Sequence, residues 1–222
     1  MITLKHISST AVFCLSTLAC LAQFQEIEVL QIPNKGLVPG NTYRIYAIMQ
    51  GEGDYIDAVY GEEGTPLSVI STHPFYQNSL GGATSKDTQR WDYVVDINPN
   101  ADAALMYDSW VTIGYEDNYE NDVRITDLEA ANRFEAGEAL TSSNGAWWAL
   151  PRLDADNRII QAGPTFAGPD RRILLMQLTT EGTVRGLINI NGKEAAKENE
   201  AGQLTRELIR VTGIEFVCSP SF

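Results

Sequence analysis

Arg172-Ile173-Leu174-Leu175-Met176-Gln177-Leu178-Thr179-Thr180-Glu181-Gly182-Thr183-Val184-Arg185-Gly186-Leu187-Ile188-Asn189-Ile190 is the stretch that decides the fold class. Ile173 to Leu178 is a continuous apolar run, interrupted only by Gln177, and reads as a β-strand. It is far short of the roughly 20 residues that a membrane helix needs. The Thr180-Glu181-Gly182 turn then leads into a second β-type run, Thr183 to Ile190, so the pair reads as a β-hairpin. The same pattern stands upstream. Thr42 to Gln50 alternates, with Tyr43, Ile45, Ala47 and Met49 on one face. Gly51-Glu52-Gly53-Asp54 turns the chain, and Tyr55 to Tyr60 returns it as a second expected hairpin.

Working outward, short β-type runs broken by Gly, Pro, Asn and Asp dominate. Glu26 to Ile32 ends at Pro33, and Leu37 to Asn41 is a turn. Leu67 to Thr72 follows Pro66, and residues 77 to 90 read as a loop. Trp91 to Ile97 reads as a further strand. Leu105 to Tyr115 reads as a long one, with Val111, Ile113 and Tyr115 facing one way and Trp110 and Thr112 the other. Val123 to Leu128 is short and extended, and Trp147 to Leu150 ends at Pro151. Leu204 to Val217 closes the chain. Two stretches stay open: Glu129 to Leu140 (helix or loop) and Lys193 to Gln203 (short helix or exposed loop). Parallel α/β folds need long crossovers, usually helical, between strands, and these are missing. The expectation is all-β: an antiparallel β-sandwich or jelly-roll-like domain with at most one or two short helices.

Met1 to Ala22 reads as an export signal. Lys5 and His6 give the positive start, Ala11 to Leu18 the apolar centre, and Cys20-Leu21-Ala22 the small-residue cleavage site before Gln23. The remaining residues, 23–222, then form one domain. Thr17-Leu18-Ala19-Cys20 also looks like a lipobox, so a lipid anchor at Cys20 is the alternative to release. The protein is expected to be secreted or to sit at the cell surface.

Lys5 leaves with the leader, so 15 Lys and Arg face 29 Asp and Glu. That balance argues against nucleic acid, whose binding depends on basic groups that neutralise phosphates. Cleavage leaves a single cysteine, Cys218, which rules out an internal disulfide framework and reads as an inert thiol. It also leaves a single histidine, His73, in a turn before Pro74. Ser-His-Asp and Cys-His mechanisms cannot be assembled from such a set. The absence of any Asn-x-Ser/Thr sequon favours a bacterial exported protein.

Three kinds of side chain can still carry function. Aromatic residues could form a platform for sugar rings; Trp147, Trp148 and Trp91 are the candidate ligand contacts, with Trp110 in the same pool. Neighbours on a strand point to opposite faces, so one of Trp147 and Trp148 belongs to the core. Calcium favours clustered oxygen ligands. Glu116, Asp117, Asn118, Glu120 and Asp122 are the candidate set, and Asp96 to Asp102 is a poorer imitation of an EF-hand loop. Paired carboxylates suffice for glycoside hydrolysis, and Asp54, Asp57, Glu62, Glu63, Asp108, Glu116 and Asp117 are available.

Tyr107-Asp108-Ser109-Trp110-Val111-Thr112-Ile113-Gly114, Asn144-Gly145-Ala146-Trp147-Trp148 and Arg172 to Thr180, with the upstream Tyr43 to Ala47 strand, resemble segments of uncharacterised exported bacterial β-rich proteins. The resemblance spans about residues 40–192. It implies an exported β-rich domain and no known activity. Such proteins often carry C-terminal sorting signals, and residues 193–222 lack the apolar anchor and basic flank of one. The functional expectation is an exported, cofactor-free protein with a binding or structural role at or beyond the cell surface. Its partner would be a polysaccharide or another surface protein. The alternatives are a carbohydrate-active enzyme using paired carboxylates and a calcium-dependent adhesive module.

Overall fold

Apolar alternation becomes strand throughout the computed structural model, which describes residues 23–88, 102–152, 159 and 163–220. In chain order the strands are β1 (Phe24–Ile32), β2 (Asn41–Met49), β3 (Tyr55–Tyr60), β4 (Leu67–Ser71), β5 (Trp110–Val111), β6 (Arg124–Ile125) and β7 (Leu140–Ser142). They continue with β8 (Ala146–Trp148), β9 (Arg172–Thr180), β10 (Val184–Lys193), β11 (Lys197–Glu198), β12 (Leu204–Thr205) and β13 (Leu208–Cys218). One helix, α1, covers Leu128–Glu135. The fold is all-β and sandwich-like, with antiparallel ladders.

The strands form two main sheets. One has the order β1-β2-β9-β5. In the other, β10 is the spine. Along one edge it pairs with β13, from Val184 opposite Cys218 to Lys193 opposite Leu208. Its other edge is divided: β4 takes Val184–Leu187 and β3 takes Asn189–Lys193. Beyond β3 lie β8 and β6, and beyond β4 lies β7. The two sheets share one apolar core. Ile45 and Met49 of β2 and Leu175 and Leu178 of β9 meet Ile56, Val69, Ile188 and Ile190 of the opposite sheet.

Both expected hairpins are corrected. The strands form where expected, but β2 and β3 belong to different sheets, and so do β9 and β10. Each turn carries the chain across the sandwich. The ladder positions beside β9 are taken by β2 and β5, and those beside β10 by β13, β3 and β4. A local partner has no edge left to bind. Crossing also lets the apolar faces of both strands look into the same core. At Gly51–Asp54 the crossing is pinned by the Asp54 carboxylate, which accepts from the Gly51 N–H at 2.8 Å and the Ala195 N–H at 2.8 Å. At Thr180–Gly182 the backbone of Gly40, with φ of +77°, lies against the Thr180 carbonyl, where a Cβ would collide. Glycine alone suits both that φ and that approach.

Other expectations shift as well. The long strand Leu105 to Tyr115 shrinks to Trp110–Val111, and Ala103–Tyr107 forms a 3-10 turn capped by the Asp102 carboxylate. Val111, Ile113 and Tyr115 still share the core while Trp110 faces away from it. Lys193 to Gln203 is neither helix nor plain loop but holds β11, paired with β12. The open stretch after Glu129 is helical. Asp127 caps α1 by accepting from the Ala130 N–H and receives the Ser142 hydroxyl at 2.7 Å, which ties the helix to β7. The expected strand Trp91 to Ile97, most of the Asp96 to Asp102 segment and the leader lie outside the described residues.

Candidate ligand-binding site

The outer face of the four-stranded sheet carries the site. Residues one step out of phase with the core positions of β2 and β9 point there, and the register aligns them in a row. Arg44 of β2 stands opposite Gln177 of β9, and Gln177 stands opposite Trp110 of β5. The Gln177 side chain links the row. Its Oε1 accepts from Arg44 Nε at 3.1 Å, and its Nε2 donates to the carbonyls of Met106 (3.0 Å) and Asp108 (2.9 Å). Those last two bonds hold the 3-10 turn over the sheet. Tyr46, Trp110 and Leu174 pack together beside the row, apart from the main core. The Arg172 guanidinium covers the Tyr46 ring at 4.7 Å.

A cavity of about 170 Å³ opens here, lined by Arg44, Thr88, Leu105, Met106, Trp110, Glu116 and Asp117. The Arg44 guanidinium pairs with Glu116 at 2.8 Å on its wall. Trp110, 2% exposed, lies at its floor, while Met106 is open to solvent. Thr88 is buried, yet among the described residues its hydroxyl has no hydrogen-bond partner. A buried hydroxyl without a partner costs free energy that a ligand group could recover. The Thr88 carbonyl accepts from the Asn118 N–H at 2.9 Å, which ties the acidic loop to this wall.

That tie decides the fate of the calcium candidates. Glu116 pairs with Arg44, and Glu120 pairs with Arg152 at 2.7 Å. Asp117 turns back to accept from the Tyr119 N–H, while Asn118 and Asp122 are exposed. The loop is anchored instead by buried Asn121, whose Nδ2 donates to Ser85 Oγ and to the Asp117 carbonyl. Among the described residues, no three His, Cys, Asp or Glu side chains are grouped to hold a metal. Of the five calcium candidates, Glu116 and Glu120 are engaged by arginines.

The tryptophan candidates divide. Trp147 is fully buried and its indole N–H donates to the Thr112 carbonyl at 2.9 Å, so it is core and not a ligand contact. Trp148, its neighbour on β8, is half-buried. Trp91 lies outside the described residues. Sequence reasoning missed Arg44 and Thr88. The first had a signal, a cation out of phase with four core residues on one strand; the second sits in a polar loop with none. Cys218 is buried, and burial pushes its thiol up to about 12, in keeping with an unreactive group.

No family model, curated protein or solved structure matches this chain.

Proposed function

We propose that this chain is an exported β-sandwich protein that binds saccharide at or beyond the cell surface, through the cavity on the outer face of the four-stranded sheet. The observation that supports this reading is the wall itself. A buried, unpartnered Thr88 hydroxyl stands near an Arg44–Glu116 pair above an apolar floor of Leu105, Met106 and Trp110. Sugar rings present hydroxyls at the edge and C–H groups on the face, which is the pairing such a site complements. Ligand pockets for drug-sized molecules run to roughly 300–1,000 Å³. The smaller volume suits one ring, such as the end of a glycan, rather than a laid-down chain.

Calorimetric titration with a monosaccharide panel, alongside a glycan array, tests the reading. Binding to at least one sugar is expected, weakened about tenfold in Thr88→Val and abolished in Arg44→Met, since a lost hydrogen bond is worth about 1.5 kcal/mol. No binding by any array member, or binding indifferent to both substitutions, sinks it. Glu116 and Asp117 on the same wall favour one second reading, a hydrolase using paired carboxylates. Release of reducing ends from the bound glycan, lost in Glu116→Gln, distinguishes it from simple binding. Mass spectrometry of the exported protein tests the compartment. An N-terminus at Gln23 is expected, and a lipid on Cys20 replaces release with tethering.

A further inference from the structure

Near the pocket wall, Phe75 and Gln77 lie against the end of α1, while farther along the segment Ala83 and Ser85 exchange backbone hydrogen bonds with Val111. The Phe75 N–H donates to the Gly137 carbonyl and Gln77 Nε2 donates to the Phe134 carbonyl, both at 2.9 Å. Carboxyl groups gather at this seam. Asp108 is fully buried; its Oδ1 accepts from the Asn78 N–H at 2.7 Å, and its Oδ2 is buried without a side-chain or backbone partner of good geometry. The Gly81 backbone closes over that oxygen so tightly that a Cβ there would collide with it. Glu135 ends α1, where the helix dipole disfavours a negative charge. Its Oε1 is also buried and unpartnered, as is Oε1 of Gln77. Asp87 stands on the loop side, accepting from the Thr84 hydroxyl at 2.8 Å, and Thr88 follows it into the pocket wall.

The charged groups that act on these carboxyls are other acids. Glu135 acts on Asp108, and Asp87 acts on Glu135. Tyr76 and Asp102 approach through Asn78, whose Nδ2 bonds both. Arg133 of α1 is turned away to Glu129 and the Thr141 carbonyl, and Lys86 is exposed in the loop. Burial, reinforced by Glu135, pushes Asp108 up to about 7 against its backbone hydrogen bonds. Burial, reinforced by Asp87, pushes Glu135 up to about 7.

We propose that Asp108, Glu135 and Asp87 form a proton-operated latch that holds the Phe75–Gly81 end of the segment against α1, beside the Thr88 wall of the pocket. A proton on Asp108 or Glu135 converts an unpartnered buried acceptor into a donor and removes a charge that no cation among the described residues balances. When both lose their protons, three like charges share the seam and this end of the segment is driven off the helix. The consequence for ligand rests on the saccharide reading above; the latch itself does not.

Hydrogen exchange of the ligand-free protein tests it, with rates corrected for the intrinsic pH effect. Protection of residues 75–81 is expected to fall at least tenfold between about pH 5.5 and about pH 8.5, while the β9–β2 ladder is unchanged. In Glu135→Gln the fall disappears. In Asp87→Asn, an exposed change that leaves the core intact, the midpoint moves to lower pH because Glu135 loses its like-charged neighbour. Equal protection at both pH values in the parent protein overturns the latch, as does an undiminished fall in Glu135→Gln. Because no ligand is present, failure of the saccharide reading leaves this outcome standing.

Discussion

The two faces of the four-stranded sheet arise from one alternation and are held by different physics. On the inner face, Tyr43, Ile45, Ala47 and Met49 of β2 meet the opposite sheet in a dry apolar core. On the outer face, Thr42, Arg44 and Tyr46 of the same strand are covered by loop and 3-10 turn through directional bonds. Thr42 Oγ1 meets Thr179 Oγ1 at 2.8 Å, and Arg44 meets Gln177 and Glu116. Apolar packing tolerates no gaps and gives up free energy per unit area. Polar cover is held by fewer, discrete bonds, leaves a cavity, and can place a group such as the Thr88 hydroxyl without a partner. The inner face therefore carries most of the apolar burial, and the outer face is where a cavity is left.

The comparison breaks most sharply at Ile45. Ile45→Ala should cost about 2–5 kcal/mol by chemical denaturation, because a fully buried side chain leaves a cavity behind. Ile48→Ala on the outer face should cost less than half as much, being only partly buried. If the two cost the same, the faces are not distinct. Gln177→Ala comes next, at about 1–3 kcal/mol, since it strands the Met106 and Asp108 carbonyls. The loss should be accompanied by faster exchange in residues 103–108, and a uniform loss across the sheet speaks against a local clasp.

Acidity separates the regions further. Asp108 and Glu135 have folded values near 7, above the ordinary range of about 4. The native state thus binds extra protons between those limits. Their contribution is complete below about pH 4 and is lost as pH rises toward 7. Asp127 has the opposite sign, lowered first by its bond from the Ala130 N–H, so its contribution is lost as pH falls. Melting temperature measured against pH should therefore fall less steeply from pH 4 to 7 in Asp108→Asn than in the parent chain. An identical slope removes Asp108 as a titrating group. The smallest effect is expected at Glu116→Gln, under about 1 kcal/mol, because the Glu116 carboxylate is solvent-exposed. A larger cost makes the outer face a structural element in its own right.

Much of this was legible beforehand, and the failures are instructive. Alternation in Thr42 to Gln50 identified the four core residues of β2, and the apolar run from Ile173 identified a strand, whose cover on both faces only the structure showed. The helical stretch after Glu129 carried too weak a stripe to decide, because Ala130, Ala131 and Phe134 alone are buried. Asp108 stood among seven equivalent acids, and Glu135 was not singled out. What sets them apart is the approach of Gly81 to Asp108 and of Gln77 to the end of α1, contacts between residues far apart in the chain.

By itself, the sequence determined the class of protein: strand periods, turn residues and missing helical crossovers dictate an antiparallel all-β chain, since side-chain direction along a strand is a local property. Only the tertiary structure decided that the two apparent hairpins are crossings between sheets. It also brought Arg44, Gln177 and Trp110 into one row, and set Glu116 and Glu120 of the acidic loop against arginines. A strand carries its facing in its own backbone, but it takes its partner from whichever edge the rest of the chain leaves free.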